Sequence, residues 1–300
     1  MCSYMNSSFQ KVQDYLPESV RRCLRNLPES TADGVQEIRL RCGRPVMVSQ
    51  RGKEYFLTPS GLNDSPKNTV FMTSEDIART FQAVMAHSVY SHEQDISEGF
   101  VTIRGGCRVG ICGSAVRKGD CIQSLRNVNG LNFRIAREFQ GIASGIWKQA
   151  ENQSILIAGM VGSGKTTFLR DLCRIVGNTV KTSLIDERGE IASMVRGIPQ
   201  YDVGMMTDIL DGYPRKDGIL TALRVLTPAY IVCDEISTEE DVNAILQAHG
   251  CGVKFIASVH AGNYDDIRKR VMIQPLFQAD VFQYCFYLNQ EQEIQRVQRL

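Results

Sequence analysis

A glycine-rich segment at residues 159–166, which reads GMVGSGKT, limits the possible folds of this chain more than any other part of it. An apolar run at residues 154–158 comes directly before it, and the amphipathic stretch KTTFLRDLCRIVG follows Gly164. These patterns predict a buried strand, a tight loop and a helix in succession. In that order the backbone N–H groups of the loop and the positive end of the helix favour a bound phosphate group. We therefore expect an α/β fold with a phosphate-binding loop.

The second half of the chain alternates short apolar runs with helical segments. The runs are SILIAGM, TSLIDE, AYIVCDE and KFIASVH. Fully apolar strands between helices are typical of a parallel sheet that is covered on both faces. We predict a doubly wound, mostly parallel P-loop NTPase sheet of the RecA-like type over residues 151–300, with a terminal hairpin at residues 281–300 beyond that sheet.

The first half of the chain predicts a smaller α+β domain over residues 1–140. Val20, Cys23 and Leu24 recur on one side of a predicted helix, and EIRLRCGRPVMVS reads as two strands joined by a turn. A second helix is expected to start at TSED (residues 73–76), which has capping-box spacing, and a glycine-punctuated hairpin and a further strand follow it. The polar residues 58–68 predict a surface loop, and residues 141–150 a linker or short helix.

The net charge, the apolar runs and the cysteines limit the partners and the cell compartment that we expect for this chain. The net charge of +1 gives no strong field for nucleic acid, and no apolar run approaches the roughly 20 residues of a membrane-spanning helix. We expect a cytoplasmic protein with no transmembrane segment. Its ten cysteines are scattered and include no C-x-x-C pair, which favours reduced thiols over a disulfide framework or a zinc site.

The glycine-rich loop supplies the expected nucleotide contacts. Lys165 is expected to contact the β- and γ-phosphates of ATP, and the Thr166 hydroxyl to ligate Mg²⁺. The residues predicted to hold the nucleotide are Gly159, Gly162, Ser163, Gly164, Lys165, Thr166 and Thr167.

Acidic residues after two later strands complete the predicted chemistry. Asp234 and Glu235 follow the run YIVC, where Asp234 would hold Mg²⁺ and Glu235 would polarise the attacking water. An adjacent carboxylate pair fits hydrolysis better than transfer to a bound acceptor, and no N-K-x-D segment indicates guanine recognition. Glu187 is an alternative base, and His260 is a candidate sensor of the γ-phosphate.

Several motifs in one order resemble a known group of proteins. EIRLRCGRPVMV, TSLIDERGEIA, YIVCDEI and FIASVHAG are similar to the N-terminal strand motif, the acidic box, the Walker B motif and the histidine box of the secretion-type and VirB11-like ATPases. GIPQYDVGMMTDILDGYPR resembles the stage III sporulation protein AA family within that group. The resemblance covers nearly the whole chain. The Asp-Glu pair stands where secretion ATPases often have Gly-Glu, which leaves the choice between Glu187 and Glu235 open.

The resemblance implies a cytoplasmic homo-hexameric ring with ATP sites between its subunits. Such a ring would act at the membrane through a membrane-embedded partner and energise a secretion-like channel between mother cell and forespore. It also implies that arginines of the N-terminal domain reach the γ-phosphate. Arg108 and Arg134 fall nearest the family pattern among the candidates Arg104, Arg108, Arg117, Arg126, Arg134 and Arg137.

Three classes of function remain open from the sequence. The first is a motor or assembly ATPase, which the hydrolytic set favours. The second is a ring that translocates nucleic acid, against which stand the near-neutral charge and the lack of a basic stripe with interleaved aromatics. The third is a nucleotide-dependent switch or scaffold with little turnover. Small-molecule kinase chemistry is disfavoured by the Asp-Glu pair.

Overall fold

The structure is a computed structural model that describes residues 7–86, 99–118, 121–291 and 293–299. The chain divides into two units. The N-terminal unit comprises Met1–Arg137 and Met194–Gln200, and the C-terminal unit comprises Glu138–Ser193 and Tyr201–Leu300. The division into domains at residues 140 and 150 stays a prediction.

The N-terminal unit is built on an antiparallel sheet packed with helices. Its strands are β1 (Val35–Arg41), β2 (Met47–Gln50), β3 (Lys53–Thr58), β4 (Gly61–Asn63), β5 (Phe100–Ile103), β6 (Cys107–Lys118) and β7 (Cys121–Arg134). Its described helices are α1 (Ser7–Gln13), α2 (Glu18–Arg25), α3 (Glu29–Ala32) and α4 (Ser74–Ala86). The strand order is β4-β3-β2-β1-β7-β6-β5.

Local sequence explains most of these elements. Val20, Cys23 and Leu24 are the buried side of α2, and Thr73 and Asp76 form the predicted reciprocal cap at the start of α4. The two strands of EIRLRCGRPVMVS are β1 and β2, which pair antiparallel as predicted. The loop prediction for residues 58–68 was wrong in part, because the short strand β4 lies within it and pairs with β3.

The C-terminal unit holds a mostly parallel sheet with helices between its strands. Its strands are β8 (Ile155–Gly159), β9 (Thr182–Asp186), β10 (Thr207–Asp211), β11 (Tyr230–Cys233), β12 (Lys254–His260), β13 (Tyr284–Leu288) and β14 (Ile294–Arg299). Its described helices are α5 (Ser144–Ala150), α6 (Lys165–Gly177), α7 (Arg215–Val225), α8 (Glu239–Gly250), α9 (Tyr264–Lys269) and α10 (Gln274–Gln278), with a 3-10 turn at Val271–Ile273. The strand order is β10-β9-β11-β12-β8-β13-β14.

The order of this sheet sets the position of every candidate site residue in the C-terminal unit. Strands β8, β9 and β11 are buried along their whole length, as their apolar sequences predict. Strand β12 lies between β8 and β11, so the strand before the glycine-rich loop and the strand before Asp234 are separated by one strand. All pairs are parallel except β13 with β14. The predicted terminal hairpin is confirmed, but its predicted place beyond the sheet was wrong, because its first strand pairs with β8 and both of its strands belong to the sheet.

Strand β10 and helix α7 of the C-terminal unit were not predicted, and neither were the short helices α9 and α10. Strand β10 is a half-exposed edge strand with the sequence TDILD, so it lacks the apolar run that marks the buried strands. Helix α7 follows it and has only four buried residues, Arg215, Gly218, Ile219 and Ala222. The segment predicted as a linker or short helix contains α5, which buries Ile146 and Ala150.

Two further observations concern the cysteines and the helices that the structure describes. Among the cysteines whose side chains are described, five are buried and three are exposed: Cys23, Cys107, Cys173, Cys233 and Cys285 are buried, and Cys42, Cys112 and Cys251 are exposed. Cys2 lies outside the described residues. None of the described helices combines the length and apolarity that crossing a membrane requires.

Candidate functional site

The glycine-rich loop turns sharply between β8 and α6. Gly162 and Gly164 have φ angles of +81° and +86°, which side chains disfavour, so glycine is required at both turns. A Cβ atom on Gly159 would lie 2.5 Å from Ser163 Oγ and 2.8 Å from the Leu288 carbonyl oxygen. The path of this loop therefore depends on the glycines of the motif.

Lys165 points back over the loop that precedes it. Its Nζ donates hydrogen bonds to the carbonyl oxygens of Gly159 and Met160 at 3.0 and 2.8 Å. Burial lowers the pKa of the Lys165 amine, while Asp234 and Glu235 act in the opposite direction by their charge. The ammonium is thus held at the start of α6 by weak acceptors and near two carboxylates.

A polar atom without a partner lies under the same loop. Ser163 is fully buried, and its Oγ has no hydrogen-bond partner among the described residues. Buried polar groups are nearly always satisfied, so an orphaned hydroxyl inside a loop indicates a missing partner. Together with the glycine turns and the Lys165 ammonium, this hydroxyl fits a polyphosphate. Thr167 is half-buried in the first turn of α6.

Thr166 and Asp234 meet although 68 positions separate them in the chain. Thr166 Oγ1 donates to Asp234 Oδ2 at 2.9 Å. Asp234 is the first residue after β11, and Thr166 is the second residue of α6. A hydroxyl and a carboxylate in contact beside a phosphate-binding loop are the donor set that Mg²⁺ prefers. The residues predicted for a metal are therefore brought together, and they fit the ion.

Glu235 adopts an unusual backbone conformation. Its φ is +44°, in the left-handed region that non-glycine residues rarely adopt. Its N–H donates to Ser258 Oγ at 2.9 Å, and its carboxylate pairs with Arg188, whose Nη1 lies 3.0 Å from Oε2. The Arg188 side chain is 67% exposed, so this ion pair lies in water and is weak.

Glu187 occupies a different environment. Its carboxylate is 2.8 Å from Arg215 Nη2, and the other terminal nitrogen of Arg215 is 2.8 Å from Asp241 Oδ2. Arg215 is 6% exposed, and Asp241 also caps the start of α8. Glu187 is therefore part of a structural ion-pair network, which sequence reasoning had no means of predicting because its members come from three separate parts of the chain.

Asp186, the residue before Glu187, is bound by the backbone that follows it. Its carboxylate accepts hydrogen bonds from the N–H groups of Glu190, Ile191 and Ala192. Burial raises the pKa of Asp186, and these hydrogen bonds oppose that rise. Burial also raises the pKa of Asp211, at the end of β10, to about 6, with a further contribution from Asp186. Asp186 of the acidic box therefore helps to fix the conformation of the loop that follows it.

His260 ends β12 beside the start of the glycine-rich loop. The parallel register places it opposite Gly159. Its ring Nδ1 is buried and has no hydrogen-bond partner among the described residues, and its carbonyl oxygen accepts a bond from Arg270. His260 also lines a cavity of about 210 Å³ with Glu235, Ser237 and Arg270. That volume holds several waters, at about 30 Å³ each.

The predicted arginines lie together in the N-terminal unit. Arg108 on β6 and Arg134 on β7 are directly opposite each other in the antiparallel register, so both project from one face of the sheet. The Arg108 guanidinium stacks on the Phe100 ring at 4.7 Å, and Arg134 Nε lies 3.6 Å from a Glu37 oxygen with the arginine side chain 68% exposed. Arg137 donates to the carbonyl oxygens of Asp33 and Val35 instead.

Comparison with known proteins gives the family. The family model described as "Sporulation stage III, protein AA" matches residues 6–300. The chain belongs to this family. Stage III sporulation protein AA of Bacillus subtilis (strain 168) is 34% identical over 281 residues, which are 91% of this chain and 88% of that protein.

Solved structures agree on the fold. The pilus retraction motor PilT, solved with bound ADP, has a TM-score of 0.59 at 20% identity and covers 86% of this chain and 76% of its own. The ATPase DotB of Legionella pneumophila has a TM-score of 0.58 at 14% identity, over 88% of this chain and 74% of its own. The fold is thus that of the RecA-like secretion ATPases, with an antiparallel N-terminal sheet, and the predicted fold class is confirmed.

Four residues that contact the site residues were missed by the sequence reasoning. Arg188 and Arg215 lie within the motifs TSLIDERGEIA and GIPQYDVGMMTDILDGYPR, but no role was assigned to them, and Arg270 lies outside any motif. Ser258 did carry a signal, since it is a polar residue within the apolar run KFIASV.

Proposed function

We propose that this family member is a Mg²⁺-dependent ATPase. The observation that supports it most is the 2.9 Å hydrogen bond between Thr166 and Asp234, beside a lysine that lies across a glycine-rich loop. A metal-binding pair at this place has a use only if a nucleotide phosphate occupies the loop. ADP in the pilus retraction motor PilT supports the same ligand class here.

Each residue of the loop has a role in holding ATP. The backbone N–H groups of residues 162–167 and the N-terminus of α6 bind the β-phosphate. Lys165 exchanges the carbonyl oxygens of Gly159 and Met160 for phosphate oxygens, which are better acceptors because they are charged. Ser163 Oγ gains the partner it lacks. Thr166 and Asp234 would hold Mg²⁺, which would supply positive charge to the bound polyphosphate.

Glu235 is the proposed general base. It accepts a proton from the attacking water, whose oxygen bonds to the γ-phosphorus as the bond to the bridging oxygen of ADP breaks. Glu235 follows Asp234 directly, and the exposed Arg188 can release it at little free-energy cost. Glu187 is the weaker candidate because Arg215 holds its carboxylate.

His260 and the arginines complete the proposed site. The unpartnered Nδ1 of His260, beside the loop and in one cavity with Glu235, suits a sensor of the γ-phosphate. Arg108 and Arg134 would supply positive charge to the transferred group from a neighbouring subunit of a homo-hexamer. Their direct pairing across β6 and β7 puts two guanidinium groups on one face, which supports a joint role.

Membership of the family supports the cellular role. We propose that the ATPase energises a secretion-like channel complex at the membrane between mother cell and forespore. It would lie on the cytoplasmic side, attached through a membrane-embedded partner. The likeness to a pilus retraction motor and to the ATPase DotB supports a motor function.

The test is steady-state ATP hydrolysis by the purified protein over a wide range of protein concentration. Lys165→Ala is the blank, and Lys181→Ala is the matched control because Lys181 is an exposed lysine of the same unit. Hydrolysis that depends on Lys165 and Mg²⁺, with specific activity that climbs with concentration, supports an ATPase completed between subunits. Equal rates for Lys165→Ala and the wild type would refute the proposal.

A nucleotide-dependent switch is the second candidate, and the Arg188–Glu235 ion pair favours it because it occupies the proposed base. A switch binds ATP tightly and turns it over no faster than the Lys165→Ala blank at any concentration. Turnover above that blank excludes it.

A further inference from the structure

Ser258 is a polar residue in the interior of the C-terminal unit. It lies on β12 and has no exposed surface. In the register of the sheet its predecessor Ala257 is opposite Cys233, the last residue of β11, so Ser258 stands level with the point where β11 ends. A buried serine hydroxyl at this place forms its hydrogen bonds either within its own strand or with the residues that come after β11.

The hydroxyl of Ser258 bonds to both acidic residues of the candidate site. It donates to Asp234 Oδ1 and accepts a hydrogen bond from the Glu235 backbone N–H at 2.9 Å. The Ser258 carbonyl oxygen also accepts from the Ile236 N–H at 2.9 Å. Three successive residues after β11 are therefore bound to this one serine, and its hydroxyl uses its donor and an acceptor site at once.

The bond to Asp234 orients that carboxylate. Because Oδ1 accepts from Ser258, the second oxygen, Oδ2, is the one that faces Thr166 at 2.9 Å. Without the Ser258 hydroxyl the carboxylate could rotate about its Cα–Cβ and Cβ–Cγ bonds and present either oxygen. Removing an outer partner that orients a metal ligand in this way typically costs about 10–100-fold in metal affinity or activity.

The bond to Glu235 holds a strained turn. The φ of +44° takes the chain out of the strand direction at Glu235, a conformation that persists only where neighbouring groups fix it. Ser258 Oγ is the acceptor that the Glu235 N–H meets in this conformation. The same hydroxyl that orients Asp234 therefore also fixes the backbone of the next residue.

We propose that Ser258 is a positioning residue that sets the Asp234 carboxylate for the metal and the Glu235 backbone for the attacking water. This inference rests on the proposed ATPase function and extends it to a residue outside the glycine-rich loop and the Asp-Glu pair. Its effect passes through one hydroxyl, so removing that oxygen alone is the decisive change.

The experiment compares Ser258→Ala with Ser258→Thr and with the matched control Ser183→Ala. Ser183 is equally buried, lies on β9 next to β11, and has an Oγ without a partner among the described residues. The measurements are kcat, KM for ATP, the half-saturating Mg²⁺ concentration, and the affinity for a fluorescent ATP analogue with and without Mg²⁺. Thermal melts check that each variant folds.

Ser258→Ala is expected to raise the half-saturating Mg²⁺ concentration and lower kcat by about 10–100-fold, with metal-free nucleotide affinity unchanged. Ser258→Thr is expected to restore both, since it keeps the hydroxyl, and Ser183→Ala to behave as the wild type. Because the added methyl group could prevent Ser258→Thr from folding, a second comparison uses Asp234→Asn. In the Asp234→Asn background, Ser258→Ala is then expected to cause no further loss of Mg²⁺-dependent nucleotide affinity, because the role of Ser258 in metal binding acts through Asp234.

Two outcomes overturn the inference alone: wild-type kcat and Mg²⁺ dependence in Ser258→Ala, or a further loss of Mg²⁺-dependent nucleotide affinity when Ser258→Ala is added to Asp234→Asn. A wild-type protein that neither hydrolyses ATP nor binds nucleotide more tightly with Mg²⁺ overturns the proposed function, and this inference with it. If the wild type binds in a Mg²⁺-dependent way without turnover, the affinity measurements still decide the role at Asp234.

Discussion

Exchanging each candidate base for its amide separates the two glutamates. Glu235→Gln and Glu187→Gln keep the size of the side chain and remove its charge. For Glu235 the lost proton acceptor is worth about 10²–10⁴ in kcat, or about 3–5 kcal/mol of barrier. Its ion pair within the described part of the chain is with the exposed Arg188, so the free energy of unfolding should change by less than about 1 kcal/mol.

For Glu187→Gln we expect a similarly small loss of stability but nearly unchanged turnover. Its pair with Arg215 involves a glutamate side chain that is 38% exposed, so the loss of stability is only about 1 kcal/mol after allowance for solvent screening. Arg215 keeps its bond to Asp241, so no buried cation is left alone. Turnover by Glu187→Gln should stay within about threefold of the wild type, because Arg215 holds the Glu187 carboxylate in an ion pair. A threefold change in kcat corresponds to less than about 1 kcal/mol of activation free energy.

The assay measures kcat and KM at saturating Mg²⁺, nucleotide affinity by a fluorescent analogue, and the melting temperature of each variant. Nucleotide affinity should survive in both variants, because neither carboxylate is part of the loop. The reasoning is refuted if Glu187→Gln abolishes turnover with its stability intact while Glu235→Gln retains it. That result would make the acidic box the source of the base.

Three further perturbations concern the charges around the site. Arg188→Ala frees Glu235 and should raise kcat by up to about fivefold, the worth of a weak surface pair, in the same assay; an unchanged or lower rate would show that the pair does not restrain the base. Arg215→Met leaves Asp241 buried without its cation and should lower the free energy of unfolding by about 3–5 kcal/mol in denaturant titrations, and adding Asp241→Asn should recover part of that loss. Asp211 has a pKa of about 6 in the fold against 3.8 for the free side chain, so its protonated form is stabilised and stability falls as pH rises between these values. Asp211 is only partly desolvated and water still reaches its side chain, so Asp211→Asn should be more stable than the wild type by only about 1 kcal/mol above pH 6 and equal to it below pH 4, and melting curves with no such pH dependence would contradict this.

The glycine-rich loop is an element that local sequence patterns predict correctly. The loop, the strand before it and the helix after it are consecutive in the chain, and the φ angles of Gly162 and Gly164 explain the motif's glycines. The capping box at Thr73 and the hairpin of β13 and β14 could likewise be predicted from the sequence, because their hydrogen bonds join residues that are close together in the chain. Strand β10 was missed because half-exposed edge strands need no apolar run.

The fold class, the phosphate-binding loop and the set of candidate carboxylates could all be predicted from the amino-acid order, because each depends on residues a few positions apart. Which carboxylate meets which partner became known only from the folded chain. The contacts of Thr166 with Asp234, of Glu187 with Arg215 and of Ser258 with Glu235 join residues that are far apart in the sequence. Such pairs depend on the strand order and register of the parallel sheet, which long-range packing sets and which no local pattern encodes.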